Sequence, residues 1–195
     1  MRNLKPQNTY KHLLNFASTQ ATRPILNGIH ITNYGHLEAT NSHILLRLLN
    51  RVPKDQEMVL HPKELREIEG NYPDTDRLVP SSFNANWLLD PIESHQIVKF
   101  LKSFDKGTPV TVSAKDSALV IANQSTGTAG AFPLLKCDGD DIGFACNVTY
   151  LLYMMAFIAD CAPLPVEIGL VSPIRPIVFE VTDAFVGLIT PIRTK

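Results

Sequence analysis

The chain has 195 residues, of which 45% are hydrophobic and 19% charged, and its net charge is −1. This length holds one large domain or two small ones, and the composition is that of an ordinary globular protein. The near-neutral total argues against a static, charge-driven grip on nucleic acid, although it is compatible with a local basic face.

The cysteines and the N-terminal sequence indicate the cellular compartment in which the chain acts. Cys137, Cys146 and Cys161 match no zinc-binding spacing, and their odd number argues against a disulfide framework. We expect buried, reduced thiols in a cytoplasmic protein. The polar N-terminus has no apolar signal region, and the longest apolar run, residues 150–159, has about half of the ~20 residues that a membrane span needs. We therefore expect no membrane partner.

The beginning of the chain predicts one helix and a β-hairpin. Residues 8–18 have apolar side chains at helical spacing after a polar N-cap, Asn8 or Thr9. Asn33-Tyr34-Gly35 is typical of a hairpin turn between alternating segments. The two strands of the hairpin are predicted at residues 25–32 and 37–41.

The next segments are short. Residues 43–49 are either a strand or a buried helical turn, and periodicity leaves both open. Residues 57–60 predict a strand. Residues 62–69 predict a charged helix that begins with a proline and ends at a glycine, with Lys63 and Arg66 on one face.

Residues 70–80, GNYPDTDRLVP, form a segment that we call the strap. Its two prolines fix their own φ and cannot donate to a strand ladder, and its Asn and Asp residues favour turns. A flexible linker would be rich in Gly and Ser, whereas Arg77, Leu78 and Val79 provide a charge and two apolar side chains. We expect the strap to be rigid and to dock against the rest of the chain; the alternative is an ordinary ordered loop.

The second half repeats one unit twice, which consists of a strand, a helix and three strands. The two helices are predicted at residues 91–104 and, after Asn147 as the N-cap, up to about Ala159. The DGDD sequence at 138–141 predicts a turn. The strands are predicted at residues 85–89, 108–113, 118–123, 130–135, 142–146, 166–171, 177–181 and 184–190.

This pattern indicates an α+β fold with helices on one face of antiparallel sheets. Residues 1–80 begin with a similar unit, but they lack room for a complete second one. We predict two domains, a shortened one at residues 1–82 and a complete one at residues 83–195.

The sequence has no pattern that indicates catalysis. The six histidines include no pair at helical spacing for zinc, the DGDD turn lacks the length of a calcium loop, and no nucleophile elbow, P-loop or dinucleotide motif is present. We expect a binding protein without metal or cofactor; an enzyme with an unrecognised site is the alternative.

Basic side chains recur near two of the predicted helices. Lys99, Lys102 and Lys106 follow the exposed side of one, and Lys63 and Arg66 lie on the other. These five residues either form a basic face for phosphates or are ordinary solvated side chains.

Five stretches resemble the bacterial DNA polymerase III beta subunit, the sliding clamp. Their order and spacing are similar to those of the family's middle and last domains, and they cover most of the chain at low identity. The stretches are RPILNGIHI at 23–31, LEATNSHILLRL at 37–48, YPDTDRLVP at 72–80, FACNVTYLL at 144–152 and LITPIR at 188–193.

The resemblance implies the DNA-clamp fold and a non-enzymatic function. In that family, six domains close into a ring around duplex DNA, with helices inside and sheets outside, and the ring tethers a polymerase. The implied partners are duplex DNA, a DNA polymerase, other clamp-binding proteins, a clamp loader and further copies of this chain, three if the ring has six domains. The hypothesis includes a phage or mobile-element origin. The alternative is a monomeric decoy or adaptor that binds clamp-interaction peptides without encircling DNA.

The resemblance also implies a groove for short linear peptides of replication proteins. Ser42 stands where the family usually has Gly, and Ile44 where it usually has Arg. The helix at 147–159 has no Lys or Arg, so that part of a DNA channel would be neutral. The residues at the family's groove positions are Leu26, Thr40, Ser42, His43, Ile44, Leu45, Pro73, Arg77, Leu78, Leu188, Thr190, Pro191, Ile192 and Arg193.

Overall fold

The computed structural model describes residues 3–5, 8–64 and 66–193. Its three α-helices are α1 (Thr9–Leu14), α2 (Pro91–Leu101) and α3 (Val148–Cys161). Asp90 and Asn147 cap α2 and α3, because each side chain accepts a hydrogen bond from a backbone N–H in the first turn. These three helices confirm three of the four predicted ones, although α1 and α2 end earlier than expected. Among the described residues, no helix has the length and apolarity to span a membrane.

Within the described residues, thirteen strands form two antiparallel sheets. In chain order the strands are β1 (Ile29–Ile31), β2 (Leu37–Thr40), β3 (Ile44–Leu48), β4 (Met58–Leu60), β5 (Ala85–Leu89), β6 (Pro109–Lys115), β7 (Ala118–Asn123), β8 (Thr128–Pro133), β9 (Lys136–Gly139), β10 (Phe144–Asn147), β11 (Val166–Leu170), β12 (Ile177–Val181) and β13 (Phe185–Ile189). The larger sheet has the order β4-β1-β2-β3-β13-β12-β11-β5-β9, and the smaller one β10-β6-β7-β8. The predicted fold class is therefore confirmed.

The hairpin β1–β2 and the strand β3 agree with the sequence patterns. Gly35 has a φ of +78° in the hairpin turn, where a Cβ atom would lie 2.3 Å from the carbonyl oxygen of Val52. Only glycine fits this turn. Residues 43–49, which periodicity left open, contain the strand β3. The expected strand at 25–32 is shorter, because Pro24–Asn27 form a 3₁₀ helix before β1.

Two predictions were wrong. The described residues of 62–69 form turns and an isolated bridge between Leu60 and Glu67, so the expected helix is absent there. The expected turn at 138–141 begins inside β9, which pairs with β5 at the edge of the larger sheet. Both errors concern charged, exposed segments, where hydrophobic periodicity has little information.

α1 and α3 pack against the larger sheet, α2 and α3 pack against the smaller one, and α3 lies between α1 and α2. One continuous core fills this layer, with Trp87, Phe157 and Phe185 among its largest buried side chains. Because α3 packs against two helices and both sheets, its sequence is apolar on most sides.

A smaller cluster lies on the opposite face of the larger sheet. Leu45, Val178 and Leu188 are buried there under the partly buried Val79 and Phe83. The strap, which contains a 3₁₀ helix at Asp76–Leu78, leads into this cluster, so the expectation that it docks is confirmed.

The larger sheet continues across the predicted domain boundary. All five residues of β3, before the strap, pair with all five of β13, near the end of the described chain. The division into two domains at residue 82 stays a prediction, and the two predicted domains share the larger sheet.

Candidate functional site

A groove with a cavity of about 290 Å³ lies between the strap and the end of the β3–β13 pair. Its lining contains most of the residues that the sequence placed in a peptide groove. Those residues are Thr40, Ser42, His43, Ile44, Leu45, Pro73, Leu78, Leu188 and Thr190.

The floor of the groove is apolar because two neighbouring strands end there. Leu45 and Leu188 are register partners in β3 and β13, with 2% and 3% of their surfaces exposed, and Ile44 is equally buried. Because the strands fix these side chains, the floor exists before any ligand binds.

Hydrogen bonds shape the turn that leads into β3. The Thr40 hydroxyl donates to the carbonyl of Ile44 at 2.7 Å and accepts from the Ser42 N–H at 3.1 Å. The Asn41 side-chain oxygen accepts from the N–H groups of His43 and Ile44 at 2.9 and 3.1 Å. The turn is therefore held by its own side chains and presents His43 at the rim.

Ser42 has a φ of +76°, in the left-handed region that favours glycine. This conformation gives a physical reason for the glycine that the family usually has here. The Ser42 hydroxyl accepts a hydrogen bond at 3.0 Å from Arg23, which also lines the groove.

The last described segment closes the groove. Both the N–H and the hydroxyl of Thr190 donate to the carbonyl of His43, at 2.8 and 2.6 Å. On the other side, Pro73 and Leu78 of the strap form a wall, and Leu78 keeps 45% of its surface exposed. The groove thus has an apolar floor and one apolar wall open to a ligand.

Five predicted groove residues do not line this cavity. Leu26 is buried in the 3₁₀ helix, and the side chain of Arg77 is 85% exposed and pairs with Asp74 at 2.7 Å. The others are Pro191, Ile192 and Arg193. The N–H of Ile192 donates to Ala145 in β10, and Ile192 and Arg193 line a separate cavity of about 360 Å³. The resemblance in sequence could not show that residues 190 and 192, two positions apart, line two different cavities.

Four lining residues were absent from the prediction: Arg23, Asp74, Thr75 and Pro176. Asp74 and Thr75 lie inside the strap, next to predicted residues, so their sequence position was the available signal. Pro176 comes from the turn before β12 and has no such signal. At the rim, the ring of His43 stacks on Tyr150 of α3, with centroids 5.8 Å apart.

A polar cavity of about 480 Å³ lies behind the strap. Its base is a row of three side chains on neighbouring strands: His30 on β1, Glu38 on β2 and Arg47 on β3, which we call the polar row. Burial alone would raise the pKa of Glu38, but the hydrogen bond from His30 and the charge of Arg47 hold it below its ordinary value. Burial likewise opposes the charge of Arg47, and Glu38 offsets it, so the pKa of Arg47 is raised.

The residues predicted to face DNA fall into two groups. Lys99, Lys102 and Lys106 are exposed on or just after α2, as expected. Lys63 and Arg66 are also exposed, but they lie in the turn segment that replaces the predicted helix, and Arg66 pairs with Glu64. The prediction that Lys63 and Arg66 share one face of a helix was therefore wrong.

The helix layer carries basic side chains only at its flanks. Lys5 and Lys11, exposed before and within α1, were not predicted. The central helix α3 has no Lys or Arg in its sequence. Within the described ranges, no group of three or more His, Cys, Asp or Glu residues is arranged to hold a metal ion.

The architecture is the sliding-clamp fold. A sliding clamp of Bacillus subtilis superimposes with a TM-score of 0.77 at 20% identity, over 99% of this chain and 64% of that one. A DNA polymerase III beta subunit of Thermotoga maritima gives 0.78 at 13% identity, over 96% of this chain and 63% of that one. These two likenesses concern the fold alone.

Similarity extends to sequence. The beta sliding clamp of Streptococcus pneumoniae is 28% identical over 92% of this chain and 60% of its own length. The Lactococcus lactis protein of the same name is 26% identical over 91% of this chain and 60% of its length. The structure of the DNA polymerase III beta chain from S. pneumoniae has a TM-score of 0.74 at 25% identity, over 98% of this chain and 64% of that one. No protein-family model matches the chain.

These comparisons confirm the resemblance to bacterial sliding clamps. The chain spans about 60% of the length of the curated relatives that it matches. The alignment with the S. pneumoniae protein extends over 229 positions, more than the 195 residues of this chain, so it includes residues of that protein with no counterpart here.

Proposed function

We propose that this chain is a non-enzymatic, sliding-clamp-like processivity factor for a DNA polymerase. It would bind short linear peptides of replication proteins in the groove and encircle duplex DNA as an oligomer. The observation that carries the proposal is the groove: the turn before β3, the end of β13 and the strap converge on one apolar cavity in a chain whose relatives are named beta sliding clamps.

The groove suits an extended peptide with apolar anchors. Each apolar side chain that becomes fully buried would contribute about 1.5–3 kcal/mol to binding. Arg23, His43 and Asp74 line the groove and provide polar groups that would orient a peptide backbone. Such a site combines an apolar interior with a few polar groups that fix direction.

The helix layer is the surface that would face DNA. Exposed lysines lie on both flanking helices, and a ring holds DNA by topology, so it needs no tight static contact. That agrees with a net charge of −1. The central helix α3 has no Lys or Arg and carries the carboxylate of Asp160, which favours the alternative, a monomeric decoy or adaptor that captures clamp-binding peptides without encircling DNA.

The smaller sheet offers an edge for a second copy. Its terminal strand β8 has mostly exposed residues and no charged side chain in TAGAFP. Uncharged, exposed edges are templates for strand pairing with another chain. We propose this edge as one of the contacts through which copies of the chain associate.

Fluorescence anisotropy with a labelled peptide of the Gln-x-x-Leu-Phe kind tests the groove. The wild-type chain should bind, and Leu78→Asp, which places a charge on the apolar wall, should not. A chain that ends at Thr190 is the informative third protein. Because Ile192 and Arg193 line the other cavity, binding by this shortened chain assigns the peptide to the groove described above. A folded wild-type chain that binds no peptide would overturn the proposal.

Polymerase stimulation separates the ring from the decoy. Lys99→Glu combined with Lys102→Glu should reduce DNA-dependent stimulation of a polymerase and leave peptide affinity unchanged. Light scattering gives the second criterion, since a ring requires association. A mass that stays at one chain up to high concentration, without any stimulation, would leave only the decoy.

A further inference from the structure

Glu38 is a buried carboxylate with a complete set of hydrogen-bond donors. Only 1% of its surface is exposed. It accepts from Nδ1 of His30 at 2.7 Å, Nε of Arg47 at 2.8 Å and the hydroxyl of Thr75 at 2.9 Å. Two of these donors belong to neighbouring strands, and the third belongs to the strap. A buried charge requires such partners, because its desolvation costs several kcal/mol.

The guanidinium of Arg47 makes two further contacts with the strap. One Nη atom donates to the Thr75 hydroxyl at 2.5 Å, and the other lies 2.6 Å from a carboxylate oxygen of Asp76. The ring of Tyr72 stacks on His30 with centroids 4.3 Å apart. The polar row therefore holds the strap at three of its positions.

The backbone of the strap has no comparable attachment. In the described part of the chain, the backbone hydrogen bonds of residues 71–80 run from Leu78 to Thr75 and from Val79 to Asp76, both inside the strap. Prolines and turn-forming residues leave little of this backbone available for a strand ladder. Side chains must therefore set the position of the strap on the sheet.

The segment that the polar row holds is also the wall of the groove. Pro73, Asp74, Thr75 and Leu78 line the groove, whereas His30, Glu38 and Arg47 line the cavity behind the strap and do not line the groove. A shift of the strap relative to the row would change the width of the groove without any change in its floor.

We propose that the polar row positions the strap as a wall of the peptide groove, so that His30, Glu38 and Arg47 set peptide affinity without touching the peptide. This inference rests on the proposed function of the groove. Buried ion pairs add little net stability compared with apolar packing, and in some proteins they select one geometry. The planar fork of Arg47 can meet Glu38, Thr75 and Asp76 together only when the strap lies in one place.

A pair of substitutions at Thr75 gives the sharpest test. Thr75→Val keeps the shape of the groove lining and removes the hydroxyl that links the strap to Glu38 and Arg47. Thr75→Ser keeps that hydroxyl. If the strap forms the wall for only a tenth of the time in the valine variant, the apparent Kd for the labelled peptide rises about tenfold. Because it keeps the hydroxyl, the serine variant should bind the peptide more tightly than the valine variant.

Glu38→Gln should weaken binding to a similar extent, since an amide cannot accept from three donors as a carboxylate does. Asp76→Asn is the mild variant, because its side chain is 66% exposed and its loss threatens folding least. It should raise Kd by about threefold, as the contact between the strap and Arg47 loses its charge. The control is Asp160→Asn, which removes the carboxylate that lies 2.8 Å from His12 between α1 and α3, away from the groove, and should leave Kd unchanged.

Hydrogen exchange of residues 71–80, followed by mass spectrometry, separates this inference from the function on which it depends. Faster exchange of the strap in Thr75→Val and Asp76→Asn, with unchanged exchange of the core strands, supports the positioning role. If the wild type binds peptide and both variants bind equally well, the inference is overturned while the proposed function stands. If the wild type binds no peptide, the proposed function fails, and hydrogen exchange alone tests the positioning of the strap. Unchanged exchange of the strap in the two variants then overturns the positioning role, and faster exchange supports it.

Discussion

Leu78 is the groove residue whose substitution has the most predictable effect. It lies on the strap, lines the apolar cavity and keeps 45% of its surface exposed in the free chain. Full burial of a leucine side chain contributes about 1.5–3 kcal/mol, so covering the remaining half with a peptide accounts for about 1 kcal/mol. Leu78→Ala should therefore weaken peptide binding about fivefold. Its effect on folding should be small, because half of the side chain already faces solvent.

The assay is anisotropy of the labelled peptide, with urea unfolding of the same samples. Leu164→Ala is a matched control: it removes the same atoms from a leucine that is 38% exposed and lies in the loop after α3. The control should keep the wild-type Kd. A wild-type Kd for Leu78→Ala, or an equal loss of affinity in both variants, would refute the assignment of the strap as a wall of the binding site.

Three further predictions concern stability and reactivity. Ser42→Gly should increase the free energy of urea unfolding by about 1 kcal/mol, because glycine adopts the left-handed backbone without strain; a decrease would show that the hydrogen bond from Arg23 outweighs that strain. The pKa of Glu38 is lowered in the folded chain, so its negative charge stabilises the fold at pH values above the ordinary pKa of 4.5. This contribution is lost as the pH falls through the lowered pKa that Glu38 has in the folded chain. Glu38→Gln should therefore flatten the decline in the free energy of unfolding that is measured between neutral and acidic pH. Iodoacetamide at neutral pH should alkylate the exposed Cys137 well before Cys146, whose thiol pKa is raised by burial to about 12, as peptide mass spectrometry can measure.

Local patterns were sufficient for most elements of this fold. The hairpin at Asn33-Tyr34-Gly35 was predictable because its turn residues and the alternation around them agree. Asn147 was predictable as the cap of α3 because a polar residue directly precedes a long apolar segment. The predictions at 62–69 and 138–141 failed because both segments are charged and exposed. The conformation of residues 62–69 depends on the bridge between Leu60 and Glu67, which leaves no periodic signal in the sequence. The conformation around β9 depends on its pairing with β5, which lies far away in sequence.

The candidate site was only partly predictable. The apolar residues that line the groove could be predicted from the family resemblance, because they lie in short contiguous stretches of the sequence. The polar row was missed although it left a signal, since Glu38 and Arg47 are charged residues in the middle of otherwise apolar strands. Their meaning depends on strand register, which places them opposite each other in β2 and β3, and register is a property of the fold.

The two proposed surfaces lie on different sides of one sheet, and this separates their functions physically. Successive side chains of a strand point to opposite faces, so Leu45 packs under the strap while Leu46 packs in the core beneath the helices. The polar row acts on the strap, whereas the exposed lysines lie on α2, beyond the core. A substitution in the row therefore changes the groove without altering the charge of the helix layer, and a lysine substitution does the reverse. Because the two sets share no contacts, their effects on peptide affinity and on polymerase stimulation should add; strong coupling between them would mean that the larger sheet transmits strain from one face to the other.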